Sequence, residues 1–177
     1  MIEDFFRQFE LTFPNSVSLI TLPRNGVLLS TGERERFTYF VLSGALRVVY
    51  ENESQAQIIR FGYKTSLITS LPAFFDNSPS LFDIIAIRKS EIKCFEKEDL
   101  FKFIESSPHN QKIYQHILQD LVRQQVEREI DLLTTSPSER FLRVLARSPM
   151  LFQEIPAVYI ANYLRMSPEH LSRVRKS

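Results

Sequence analysis

From Pro108 to about residue 133 the chain runs with no internal proline or glycine, and apolar side chains recur at Ile113, Ile117, Leu118, Leu121, Val122, Val126, Ile130 and Leu133. The spacing predicts one helix of roughly 25 residues, about 37 Å long. A chain of 177 residues has to be organised around such a rod. The rod reads either as a core helix laid across the body or as a helix paired with a second copy of itself. A stripe this long and regular is hard to bury within so small a domain, which favours the paired reading, with Ile113, Ile117 and Leu121 facing the partner.

Ahead of the rod the texture is different. Residues 2–13 set Ile2, Phe5, Phe6 and Phe9 on one side of an amphipathic helix that Pro14-Asn15 ends. Short apolar runs follow at 17–22, 27–29, 39–42, 46–50, 57–61, 84–87 and 92–95, separated by turn-forming stretches such as Pro23-Arg-Asn-Gly26 and Ser43-Gly44. Runs of this length and spacing predict an antiparallel β-sandwich or barrel rather than alternating strands and helices. Gly26, Gly32 and Gly44 fall where turns need them, and none lies in a phosphate-cradling loop. A short helix is expected at 97–106, with Glu98 and Asp99 in its first turn.

Beyond the rod, Ser136-Pro-Ser-Glu139 reads as a capping serine, a proline at the first helical position and a glutamate three residues past the cap. A helix is therefore expected from 137 to about 147, with 134–136 as a hinge. A further helix follows Pro156 to about Tyr163, with Val158, Ile160, Ala161 and Leu164 inward. Ser167-Pro168 then starts a last helix, held by Leu171 and Val174.

Charge supports a division at the hinge. From Thr134 onward there are seven Arg and Lys against three Glu, which leaves 15 basic and 18 acidic residues upstream out of whole-chain totals of 22 and 21. An acidic body with a basic tail fits a protein that meets phosphate at one end. The single cysteine, Cys94, excludes an internal disulfide and an all-cysteine metal or cluster site, and it sits in a strand-like run as a small hydrophobe. His109, His116 and His170 are neither paired nor at ligand spacing, so no metal or other cofactor is expected. The start of the chain lacks the features of a signal peptide and no apolar run approaches 18 residues, which leads to a cytoplasmic expectation without membrane contact. There is no glycine-rich phosphate loop, metal-ligand cluster or nucleophile elbow to support an enzyme.

The last two helices form a helix-turn-helix pattern, which points to double-stranded DNA as partner. On the final helix Leu171 and Val174 are anchors, while Glu169, His170, Ser172, Arg173 and Lys176 are left to read or to grip. Arg173 could donate two hydrogen bonds to a guanine edge and Glu169 could accept from cytosine N4. Arg165, Ser167, Arg175 and Lys176 complete the candidate DNA-contacting set, with Arg165, Arg175 and Lys176 on phosphates. The alternative for this segment alone is an ordinary antiparallel helix pair with a solvated basic face.

The order of parts resembles the CRP/FNR family of bacterial transcription regulators over nearly the whole chain. The marks are Tyr39-Phe-Val-Leu-Ser-Gly-Ala-Leu-Arg47, similar to that family's core hairpin around a glycine, and the segment from Ile160-Ala161 to Leu171-Ser-Arg173. The resemblance implies an α+β fold: an N-terminal antiparallel β-roll of the jelly-roll (double-stranded β-helix) type with flanking helices over 1–107, a long dimerisation helix and hinge over 108–135, and a helix-turn-helix domain over 136–177. It implies a homodimer that places two recognition helices in successive major grooves about 34 Å apart, with Glu169 and Arg173 at base-contacting positions. It also admits RNA polymerase and a small-molecule effector as partners. The alternative is a dimeric cyclic-nucleotide-binding-like interaction module that does not read DNA.

Two departures from the family pattern affect the motif. Arg165 stands where relatives carry a turn glycine, so the turn is expected to be built differently, because positive φ costs a non-glycine residue about 1–2 kcal/mol. The sequence ends at Ser177, so no β-wing is expected, and about nine residues from Pro168 would give some 13 Å of recognition helix. The family's nucleotide phosphate is gripped by a Gly-Glu pair and, about ten residues on, an arginine. The corresponding stretch, 66–83, contains neither, and between Phe61 and Ile87 the only cation is Lys64. A buried phosphate would have little to offset its desolvation, so cyclic AMP is not expected as effector. Phe74, Phe75 and Phe82 form a candidate effector pocket for something less polar, with core packing as the simpler reading.

Overall fold

The computed structural model describes residues 2–53 and 55–176. Helix α1 (Ile2–Thr12) and a single 3-10 turn (Pro14–Ser16) lead into eight strands: β1 (Val17–Leu22), β2 (Val27–Leu29), β3 (Phe37–Ser43), β4 (Ala45–Glu51), β5 (Ala56–Tyr63), β6 (Leu67–Ile68), β7 (Asp83–Ala86) and β8 (Ser90–Glu96). Helix α2 (Leu71–Asp76) interrupts them between β6 and β7. The strands form two four-stranded antiparallel sheets in the orders β1-β8-β3-β6 and β2-β7-β4-β5. The α+β jelly-roll architecture read from the sequence is present. The pair β6 and helix α2 were not foreseen, because β6 is two residues long and α2 begins Leu71-Pro72 with no capping side-chain bond.

Three apolar clusters explain the layering. Val41, Leu46, Ile68, Ile84, Ile92 and Cys94 fill the space between the sheets. The outer face of the first sheet takes a phenylalanine cluster, in which Phe5, Phe6 and Phe9 of α1 meet Phe40, Phe95 and Phe103. Phe6 and Phe95 lie with ring centroids 4.5 Å apart, and Phe5 and Phe103 5.2 Å apart. Helix α3 (Lys97–Glu105) and the first half of α4 (Pro108–Leu133) close this side. The outer face of the second sheet takes α5 (Pro137–Arg147), α6 (Leu151–Glu154), α7 (Ala157–Tyr163) and α8 (Pro168–Val174). There Ala45, Val49, Ile58, Phe61 and Ile87 share one buried cluster with Phe141, Val144, Leu151, Ile155, Ile160, Leu164 and Leu171.

The rod occupies 108–133 as read, capped by the Ser107 hydroxyl, which accepts from the Asn110 amide at 3.1 Å. Its two halves do different things. Ile117 is buried in the phenylalanine cluster, with Ile113 and Leu121 packed against it, so the three residues assigned to a partner face the chain's own body. The stripe left open is further along: Val122, Val126, Ile130 and Leu133 are all exposed, Leu133 by 79%. The body covers the rod to its end on another face, where Arg128 and Asp131 are also buried, so this stripe is left to solvent because it points away from the body.

The expected hinge at 134–136 is held from both sides. The Arg140 guanidinium donates to the Thr134 carbonyl at 2.8 and 3.1 Å. Asp131, fully buried at the end of α4, pairs with Arg147 at 2.5 Å and Arg143 at 3.3 Å on α5.

Two turn glycines separate conformational from steric demand. Both have positive φ, +88° at Gly32 and +91° at Gly44. A methyl at Gly32 would meet open space, whereas one at Gly44 would lie 2.2 Å from the Ser90 hydroxyl and 2.5 Å from the Lys89 carbonyl. Ser90 cannot withdraw, since its hydroxyl accepts the Ala45 amide at 3.0 Å and is fully buried. Gly32→Ala is therefore expected to cost about 1–2 kcal/mol from backbone strain alone, and Gly44→Ala about 3 kcal/mol or more. Urea denaturation of the two variants checks the order.

Candidate nucleic-acid interface

Helix α7 starts after Pro156 and buries Ile160, Ala161 and Leu164, each at 1% exposure or less; Val158, expected inward, is 55% exposed. Helix α8 is capped by the Ser167 hydroxyl, which accepts from the His170 amide at 3.2 Å, with Pro168 at the first helical position. It runs seven residues, about 10 Å, and is shorter than read. Leu171 is 1% exposed beneath it and Val174 packs against the same cluster.

The 164–167 turn settles how Arg165 is accommodated. Arg165 has φ +57°, so an arginine takes the left-handed position that glycine would fill. The turn is a Schellman closure: the Met166 amide donates to Ala161 at 2.9 Å and the Arg165 amide to Asn162 at 3.0 Å. That leaves the carbonyls of Tyr163 and Leu164 to be satisfied. Arg128 of α4 donates to the first at 2.5 Å and Arg140 of α5 to the second at 2.7 Å. The Arg128 guanidinium also lies 3.7 Å from the Tyr163 ring centroid. Two cations at this helix end also match its dipole. Neither was singled out in the sequence, where Arg128 stands between Glu127 and Glu129 and nothing local marks a bond to a distant carbonyl.

A second polar device joins α7 to the body. The Asn162 carboxamide accepts the Ile58 amide at 2.7 Å and donates to the Ala56 carbonyl at 3.0 Å. Because β5 is the edge of its sheet, these are groups a neighbouring strand would otherwise take. The Arg47 guanidinium stacks 4.7 Å from the Tyr159 ring centroid, and Arg88 pairs with Glu154 on α6.

What remains outward on the turn and on α8 is polar. Arg165, Ser167, Glu169, Ser172, Arg173, Arg175 and Lys176 are exposed and His170 is half-buried. Hydrogen bonds from its own amide and from the Ser167 hydroxyl, with the charge of Arg173 adding to them, hold the Glu169 carboxylate below its usual range. The face therefore presents one ionised acceptor among four cations. Arg165→Gly, which relieves the left-handed strain, is expected to raise stability by roughly 0.5–1 kcal/mol in chemical denaturation.

The stretch 66–83, which the resemblance sets against a phosphate site, is occupied by the chain itself. The Glu35 carboxylate accepts the Ser70 amide at 2.6 Å where α2 begins, and the Ser80 hydroxyl donates to that of Ser70 at 2.9 Å. Glu35 is 4% exposed. Burial pushes its pKa from 4.5 up to about 7, against the hydrogen bond from the Ser70 amide and the charge of Lys97. The three phenylalanines do not share one pocket: Phe74 and Phe75 border a cavity of only about 10 Å³, and Phe82 is not part of it. Phe74 is buried in the phenylalanine cluster, Phe75 is 45% exposed beside it, and Phe82 packs on the inter-sheet cluster near Tyr50. One helical step turns Phe75 away from Phe74, and Phe82 follows on a separate segment. Because the folded state holds the Glu35 proton to higher pH than the unfolded state, stability should fall as pH rises between about 4.5 and about 7. The loss is on the order of 3 kcal/mol, and Glu35→Gln should remove it, as read by denaturation midpoints at pH 5 and pH 8.

Among the described residues, no helix is long and apolar enough to cross a membrane. No curated protein matches the sequence significantly. Several solved structures share the fold. FixK2 from Bradyrhizobium japonicum superposes with a TM-score of 0.77 at 15% identity, over 90% of this chain and 83% of that one. A CooA variant from Carboxydothermus hydrogenoformans gives 0.73 at 15% identity, over 92% and 76%. The global regulator CLP of Xanthomonas campestris gives 0.69 at 14% identity, over 96% and 90%. At such identities the likeness is one of fold. The cyclic nucleotide-binding domain family itself matches residues 19–107, the β-sandwich with α3 and half of the sequence, and the chain belongs to that family.

Proposed function

We propose that the chain is a non-enzymatic, DNA-binding transcription regulator of CRP/FNR type, acting as a homodimer in the cytoplasm. The observation that carries this reading is the α7–α8 pair: a buried Leu171 anchor beneath an exposed face of Arg165, Ser167, Glu169, Ser172, Arg173, Arg175 and Lys176. A helix held this way offers its outer groups to a groove while its inner ones stay packed. Arg173 and Glu169 take base edges in this reading, and Arg165, Arg175 and Lys176 take phosphates. The division into 1–107, 108–135 and 136–177 then separates sensor, rod and reader. Gene regulation is named for CLP, and transcriptional regulation for the DNR protein of Pseudomonas aeruginosa, whose sensor domain shares the fold.

Dimerisation is assigned to the open stripe of Val122, Val126, Ile130 and Leu133 rather than to Ile113, Ile117 and Leu121. Four apolar side chains spaced by three and four residues on an exposed helix face match a two-stranded seam. The effector is not a cyclic nucleotide in this reading, because Glu35 takes the Ser70 amide and no arginine lies between Phe61 and Ile87. RNA polymerase remains a partner of the whole reading rather than of any one surface.

Fluorescence anisotropy with genomic duplex fragments at two salt concentrations tests the proposal. Binding should survive excess random DNA and be unchanged by cyclic AMP. Arg173→Ala should cost about 1–3 kcal/mol on the specific duplex, and Lys176→Ala should flatten the salt slope by about one. Val126→Glu should give monomers by sedimentation and weaken operator binding. Absence of binding to any duplex at low salt would favour the non-DNA-binding module instead.

A further inference from the structure

A cavity of about 790 Å³ opens between the end of β5, the middle of α4 and the start of α6. It lies apart from Glu35, Ser70 and α2, and no residue of 68–107 lines it. Its charge is unbalanced in a specific way. The two carboxylates on its wall are already engaged: Asp120 pairs with Arg123 at 2.9 Å, and Glu127 pairs with Arg143 at 3.0 Å and Arg147 at 3.3 Å. Two further cations line the cavity, Arg60 and Lys64. Arg60 is half-buried on β5, and no carboxylate or other hydrogen-bond acceptor among the described residues engages its guanidinium. Burial disfavours its charge and lowers its pKa from the ordinary guanidinium value. A half-buried cation without a counter-charge is partly desolvated, and an anion placed against it would offset that cost.

The rest of the wall is mixed, with Thr65, Ser66, Gln124 and Ser148 beside apolar and aromatic side chains. Phe61 and Tyr163 stand with ring centroids 5.2 Å apart, and Leu121 and Leu151 lie on the helical sides. The space is far larger than one inorganic anion needs. We propose that this cavity binds a small organic anion, with its carboxylate or phosphate on Arg60 and Lys64 and its apolar body between Phe61, Tyr163, Leu121 and Leu151. Such a ligand would touch the β-body, the rod and the C-terminal helices at once. Its role as an effector rests on the regulator reading above; its binding does not.

The test uses 1-anilinonaphthalene-8-sulfonate, an anion on an aromatic body, and the uncharged N-phenyl-1-naphthylamine, titrated into the full chain by fluorescence. Saturable binding of the sulfonate at one site per chain is expected, about tenfold or more tighter than the neutral probe. Arg60→Gln should weaken the sulfonate by about tenfold and Arg60→Lys should restore part of the loss. Hydrogen exchange should show probe-dependent protection at 60–67 and 147–151. Displacement by phenyl phosphate would assign a phosphate ester, and displacement by 4-phenylbutyrate a carboxylate. Equal binding of both probes by the unaltered chain, protection elsewhere, or displacement by neither anion would overturn the proposal, whether or not the chain binds DNA.

Discussion

Asn162 offers the edge of β5 one donor and one acceptor, which is what a neighbouring strand would offer at the same two positions. An exposed sheet edge invites pairing with other chains. Here it is covered by a helix whose polar contact is a single carboxamide, with Phe61 and Tyr163 packed beside it. Since the Ile58 amide must be the donor, the carboxamide has one productive orientation, and that fixes how α7 sits on the body. The buried cluster from Ala45 to Leu171 then follows, because Ile160, Leu164 and Leu171 reach the second sheet only when α7 lies there.

The charged groups at this joint extend the same constraint to the rod. A left-handed Arg165 closes the end of α7, and the two carbonyls it leaves are taken by Arg128 from α4 and Arg140 from α5. Asp131 holds the α5 arginines from the other side. The turn between the two motif helices is thus connected by hydrogen bonds to the helix whose open stripe faces solvent. Any displacement of the rod has to carry the turn with it or break these bonds. A cavity walled by β5, the rod and α6 lies beside this joint, where a bound anion would meet all three.

Much of this was legible because periodicity reports burial. The β1 and β2 strands, the rod and the start of α5 appear in the sequence at their structural limits, since capping serines, prolines and turn residues mark them. The apolar anchors Ile160, Ala161, Leu164 and Leu171 were equally readable. What failed were inferences about which side a stripe faces. Ile113, Ile117, Leu121, Val122 and Val126 belong to one apolar pattern, and only the side from which the body packs decides which of them it covers. Phe74, Phe75 and Phe82 are close in sequence yet divide between a core, the surface and a second core. The arginines that staple the turn carry no local signal, because a charge that bonds a distant carbonyl looks like any surface charge. Arg165 conflicts with local propensity and is held in place by what surrounds it.

The shared core and its polar joint pack the C-terminal helices against the β-body, and the two are expected to unfold together. Differential scanning calorimetry of the unaltered chain and of Asn162→Ala tests this most directly. One transition is expected, with equal calorimetric and van't Hoff enthalpies, and Asn162→Ala should shift the whole of it to lower temperature. Two resolved transitions, the lower one lost on removing 136–176 and alone sensitive to Asn162→Ala, would contradict it.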